Sequence, residues 1–231
     1  MRSIGLCVVA LLLLCALPAR AGVVIGGTRF VYRQEQHALN VPLRNASDSA
    51  WLVVTRVQSA ARWPGARVTA AEAFVVVPPI CVLAGGQENT LRLIRTASPL
   101  PTDRESLFTL SVATVPSGKV DGNRVQMGVR SALKLIYRPS GLAGEPQQAY
   151  RQLRWSAGRG LSVSNPTPYY VTLFNLSING KTLDNPGVVA PFSTRSLSRE
   201  LPGKVIQLRW QTLNDYGRVM PPITAHPLRV P

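Results

Sequence analysis

The chain has 231 residues, with 26 Lys and Arg against 11 Asp and Glu, a formal net charge of +15 and a hydrophobic share of 45%. That length suits one or two domains of roughly 100 to 200 residues each. The chain holds two histidines and three cysteines, and no Cys-x-x-Cys spacing, so no metal motif is present and hydrolytic chemistry of the Ser-His-Asp or Cys-His kind has few residues to draw on.

The N-terminus opens with Met1-Arg2, continues with an apolar run from Ile4 to Leu17, and reaches Ala19-Arg20-Ala21, an A-x-A cleavage pattern. This predicts a secretory signal peptide over 1–21; the run falls short of the roughly 18–20 apolar residues that span a bilayer. Leu14, just before Cys15, is bulkier than a lipidation site expects. Cleavage removes Cys7 and Cys15, leaving Cys81 alone and no intramolecular disulfide. The apolar flanks of Cys81 predict a small buried hydrophobe. Loss of Arg2 and Arg20 lowers the net charge from +15 to +13. The remaining cations are scattered among apolar segments, which suits a solvated basic surface; secretion argues against a nucleic-acid client.

Short segments rich in Val, Leu, Thr and aromatics then alternate with Gly, Pro, Asn, Asp and Ser clusters, the pattern of an all-β chain. Strands are predicted at 23–25, 29–32, 38–43, 51–57, 74–77, 89–94, 107–115 and 124–137. In the fourth, Val53, Thr55 and Val57 share one face and Leu52, Val54 and Arg56 the other. In the last, Val125, Met127 and Val129 share a face, which alternation alone would pack on the chain's own core. Arg138 to Pro146 is rich in Pro and Gly and reads as a break between domains. Beyond it, strands are predicted at 153–156, 160–164, 169–178, 181–183, 193–197 and 205–213. The expected architecture is two immunoglobulin-like sandwiches of about 100 residues each: a signal peptide 1–21, a first domain 22–138, a linker 139–146 and a second domain 147–231. The two halves show no alignable repeat.

Catalysis finds little support. His37 follows Arg33-Gln34-Glu35-Gln36 in a turn-like stretch, and His226 lies in a tail after Pro221-Pro222. The acidic residues form no spaced pair, and Gly85-Gly86 lacks a following Lys-Ser or Lys-Thr.

Four stretches resemble the periplasmic chaperones of the chaperone-usher pilus pathway, the PapD-like family. These are Gly27-Thr28-Arg29-Phe30-Val31-Tyr32, Leu100-Pro101-Thr102-Asp103-Arg104-Glu105-Ser106-Leu107-Phe108, Ala132-Leu133-Lys134-Leu135-Ile136-Tyr137-Arg138-Pro139, and Asn165-Pro166-Thr167-Pro168-Tyr169-Tyr170 together with Asn214-Asp215-Tyr216-Gly217. The resemblance implies a non-enzymatic periplasmic chaperone without cofactor or metal. Its expected partners are pilus subunits, whose incomplete immunoglobulin fold it completes with its own strand, and an outer-membrane usher that receives the complex. Nucleic acid and stable membrane insertion are not expected, and self-association of the free protein is left open. Carried over residue by residue, Arg29 and Lys134 would anchor the subunit's terminal carboxylate, and Val125, Met127 and Val129 would be the donated face. Glu105, Arg138 and Asp215 would link the domains. The short segment between Val115 and Arg124 resembles the short-loop subclass, and the absent second-domain disulfide departs from many members. The competing reading from another class is a secreted pilus subunit or immunoglobulin-like adhesin.

Overall fold

The computed structural model describes residues 22–118, 126–158, 160–198, 207–225 and 228–229. The first half contains β1 (Val23–Ile25), β2 (Arg29–Arg33), β3 (Leu39–Asn45), β4 (Trp51–Ser59), β5 (Phe74–Val77), β6 (Ile80–Leu83), β7 (Glu88–Arg95), β8 (Ser106–Pro116) and β9 (Val129–Arg138). The second contains β10 (Arg154–Ala157), β11 (Leu161–Asn165), β12 (Val171–Ile178), β13 (Lys181–Leu183), β14 (Val188–Val189), β15 (Ser193–Ser198), β16 (Leu208–Leu213), β17 (Ile223–Ala225) and β18 (Leu228–Arg229).

Each half is a pair of sheets. In the first, β1-β3-β7-β5 faces β2-β9-β8-β4-β6; in the second, β15-β11-β10-β18 faces β13-β12-β16-β17, with β14 on β12. Between the first pair lie Val41, Leu43, Val53, Leu91, Leu93, Leu110, Val112 and Leu135, all 1% exposed or less. Phe74 stands edge-on to both Tyr32 and Phe108, with ring centroids 5.1 Å apart in each case, a geometry that suits opposed ring quadrupoles. The second core is built around Trp155 and Trp210, also 5.1 Å apart, with Leu161, Val163, Leu176 and Leu208.

The alternation predicted in β4 holds: Val53 and Thr55 are buried, while Arg56 is exposed. Short strands at 80–83, 188–189, 223–225 and 228–229 were not predicted, because Pro neighbours and short length hide the two-residue period. Three corrections follow. Residues 126–128 lie outside any strand, and β9 begins at Val129. β12 begins at Val171 rather than Tyr169, since Thr167 to Tyr169 are held in an Asn-centred turn. Cys81, expected to be buried, is only half-buried. It packs on the first core from an edge strand whose neighbours Ile80 and Val82 are exposed, and an edge strand covers one face only.

A repeat that the sequence comparison of the halves misses is visible at the ends of β3 and β11. Asn45 donates through Nδ2 to the carbonyls of Ser49, Leu83 and Ala84, while its Oδ1 accepts from the Ser47 N–H and hydroxyl. Asn165 does the same with Tyr169, Val189, Ala190 and Thr167. Both side chains are fully buried, so each closes a loop whose backbone groups would otherwise lack partners.

The two halves meet along a third apolar cluster, Ala60, Leu107 and Ile136 with Val188, flanked by Val31, Trp63, Ala66 and Tyr170. The loop after β4 is laced to the second half there: the Val188 N–H and Arg195 Nη1 both donate to the Pro64 carbonyl, each at 2.8 Å. Gly187, at φ +74°, approaches so closely that a Cβ would sit 2.3 Å from that carbonyl oxygen, so only glycine fits.

Candidate functional site

The parallel pairing of β2 with β9 sets Arg29 opposite Lys134. Strands in a sheet lie about 4.8 Å apart, so partners in register project to one side together. On that side, towards the second half, Val31 and Ile136 join the interdomain cluster, while Phe30 and Leu135 face the first core.

The two cations differ in what they touch. Arg29 is 9% exposed, and its Nη1 donates to the carbonyls of Leu213 and Asn214 at 3.0 and 2.8 Å, bridging the halves. Burial pulls its pKa down, opposed by the charges of Asp215 and Glu105. Lys134 has no hydrogen-bond or ion-pair partner among the described residues; its Nζ lies 3.7 Å from the centroid of the Trp63 ring. Burial, with the positive charge of Arg29 added, brings its ammonium down to about 8. An ammonium held partly out of water and without an anion is suited to receive one.

Glu105, Arg138 and Asp215 come together as one chain of charges. Arg138 Nε donates to Glu105 Oε1 at 2.6 Å, and its two terminal nitrogens donate to Asp215 at 2.7 and 2.9 Å. The other Glu105 oxygen accepts from the Tyr170 N–H at 2.7 Å, and the Glu105 N–H donates to the Pro168 carbonyl at 2.9 Å. Every contact but the first therefore joins one half to the other. Burial pushes the Glu105 carboxyl up to about 7 against the opposing pull of Arg138 and the Tyr170 N–H. Burial works against the Arg138 charge as well, but the two carboxylates outweigh it and raise its pKa.

β9 is unevenly partnered. β8 runs beside it from Val129 to Tyr137, whereas β2 covers only Lys134 to Arg138. From Val129 to Leu133 one edge has no strand beside it among the described residues, an open row of backbone donors and acceptors. By the two-residue period, Val129 continues the face of Leu133 and Leu135, yet it is 57% exposed, and Met127 is 75% exposed. The alternation that would bury this face in the chain's own core is thus overridden, because the sandwich ends before the strand does. Val125 lies outside the described residues, as do residues 1–21, most of the segment between Val115 and Arg124, and His226. His37 is exposed in its turn.

Sequence reasoning missed Trp63, which stacks on Lys134, and the Pro64, Val188 and Arg195 seam; a Trp-Pro-Gly turn is a weak signal until the fold sets it beside β9.

Comparison with known families decides the identity. Residues 22–143 match the model described as pili and flagellar-assembly chaperone, PapD N-terminal domain, and residues 148–224 match that of the pili assembly chaperone PapD C-terminal domain. The chain belongs to the pilus-assembly chaperone family. The uncharacterized fimbrial chaperone YcbF of Escherichia coli K12 is 44% identical over 208 residues, 89% of this chain and 88% of its own. The chaperone protein FimC of the same strain is 36% identical over 89% of this chain and 85% of its own. Among solved structures, the SafB chaperone in complex with the SafA pilin of Salmonella enterica is similar at TM-score 0.78 and 29% identity, covering 89% of this chain and 96% of that one. The periplasmic chaperone SfaE is similar at TM-score 0.72 and 32% identity, over 88% and 98%. This pilus-assembly chaperone is a two-domain immunoglobulin-like β-sandwich protein, and its role is chaperoning, not catalysis.

Proposed function

We propose that this chaperone captures pilus subunits in the periplasm by lending β9 to their incomplete fold, with Arg29 and Lys134 anchoring the subunit's terminal carboxylate, and passes them to an outer-membrane usher. The observation that carries this reading is the open edge of β9, which ends at the residue where the two cations begin. An incoming strand that hydrogen-bonds along Val129 to Leu133 would arrive with its end at Lys134, so one carboxylate at that point fixes the register of the whole added strand. The apolar face of Val125, Met127 and Val129 would supply on the order of 5–9 kcal/mol of gross burial before the cost of ordering. The SafB chaperone in complex with the SafA pilin supports a pilus subunit as the partner here. Glu105, Arg138 and Asp215 would hold the interdomain angle that shapes the cleft, with domains at 22–138 and 147–231 joined by 139–146 and a signal peptide at 1–21 directing export. We assign the chaperone to the short-loop subclass, on the length of the segment between Val115 and Arg124. Two complete sandwiches argue against the reading as a pilus subunit, whose own fold would need a strand.

The test is co-purification from periplasm with a subunit encoded nearby. Wild type is expected to yield a stable one-to-one complex, and Arg29→Ala and Lys134→Ala to lose it while remaining folded. Variants that bind as well as wild type would remove the anchor role.

A further inference from the structure

Lys134 needs something to hold its ammonium in the cleft while no client is present, and among the described residues the group stacked on it is Trp63. An acidic side chain there would neutralise the lysine and repel an arriving carboxylate. An aromatic face steadies the cation through its quadrupole and leaves the ammonium hydrogens for another acceptor.

The reason for a tryptophan at this point lies in its ring. The indole Nε1 is buried and has no hydrogen-bond partner among the described residues, although a buried indole N–H usually finds one. The same is true of Trp155 and Trp210, so the unpartnered N–H does not set Trp63 apart; what does is its π face, which meets the Lys134 ammonium at 3.7 Å and, more distantly, the Arg62 guanidinium at 5.6 Å. The ring is placed by its surroundings. Its backbone N–H closes a short turn onto the Ala60 carbonyl at 2.9 Å, and the ring packs on the cluster of Ala60, Leu107, Ile136 and Val188. The next residue, Pro64, is bonded to Val188 and Arg195 of the second domain.

We propose that Trp63 is a positioning residue for the client carboxylate site, holding the Lys134 ammonium ready in the empty cleft, and that its loop makes this readiness depend on both domains being docked. The proposal rests on the reading of Lys134 as an anchor. Through the loop's bonds to Val188 and Arg195, a change in interdomain angle would shift the ring and, with it, the lysine.

The test is an NMR titration of the Lys134 side chain in the purified protein, comparing wild type with Trp63→Leu and Trp63→Phe. Leucine keeps the site dry but removes the π face, so the ammonium should deprotonate about half a unit to one unit lower, the range expected for a partly desolvated cation on a ring. Phenylalanine should restore most of the difference. In co-purification at pH 8, Trp63→Leu should recover about two- to fivefold less subunit than wild type, since that shift takes the charged fraction of Lys134 from about one half to between about a quarter and a tenth, with a smaller deficit at pH 6.5. If the leucine variant does not fold, Trp63→Met serves as the aliphatic replacement. Identical titrations in wild type and the aliphatic variant would overturn the proposal, as would a phenylalanine variant impaired as much as the aliphatic one. Unchanged subunit binding by Lys134→Ala would instead overturn the anchor reading beneath it, whatever the titrations show.

Discussion

Along β9, residues 134–138 lie between β2 and β8, with Leu135 fully buried in the first core and Arg138 tied to two carboxylates. Residues 129–133 of the same strand have β8 on one side and nothing described on the other, and Val129 is 57% exposed. The alternation of side chains continues unbroken through both halves. The period of a strand thus sets which residues share a face, while burial of that face is decided by what the rest of the fold brings up to it. In this chaperone the inner half of β9 holds the molecule together, and the outer half keeps one edge without a strand among the described residues, the edge we propose it lends to a subunit.

The sharpest break in this comparison is Arg138→Met. It leaves Glu105 buried without its ion-pair partner, and loss of one partner from a buried pair costs about 3–5 kcal/mol. Chemical denaturation should show a loss of that size. Leu135→Ala, on the inner half, should cost about 2–5 kcal/mol in the same assay, because a fully buried leucine leaves a cavity. Val129→Ala, on the outer half, should change the free protein's stability by no more than about 0.5 kcal/mol, yet reduce recovery of subunit. If the two truncations cost the free protein equally, the halves are not distinct.

Lys134, at the junction, is expected to act with opposite sign on stability and function. Its folded pKa of about 8 lies below the roughly 10.4 of an unfolded lysine. Between those values the unfolded chain binds more protons, so folding stability should rise as pH increases from about 8 to about 10.4. Lys134→Met should flatten that rise and lift the neutral-pH Tm by about 2–4 °C. Carboxylate capture needs the charged form, so client affinity should fall as pH increases through about 8 in wild type. A wild-type affinity that is flat from pH 6 to pH 9 would detach the lysine from the site.

The sequence made the β class and most strands legible, because half-buried strands between Gly, Pro and Asn turns carry a clear period: 23–25, 74–77 and 181–183 agree residue for residue. It failed where neighbours rather than period decide. Cys81 sits among apolar residues yet lies on an edge strand, and Asn45 and Asn165 look like ordinary turn residues until their buried hydrogen bonds are seen. At the site, Arg29, Lys134, Glu105, Arg138 and Asp215 stood out only through the family's motifs, since single charges on strands and in turns carry no address. Trp63 belonged to none of those motifs, and its place over Lys134 depends on a loop held by contacts from the distant second half.

Backbone hydrogen exchange along β9, with and without a bound subunit, tests the account most directly. Residues 135–138 should exchange slowly in both states, whereas the amides of 129–133 that face the open edge should exchange readily in the free chaperone and become protected in the complex. Protection confined to other strands, with 129–133 unchanged on binding, would contradict strand donation by β9.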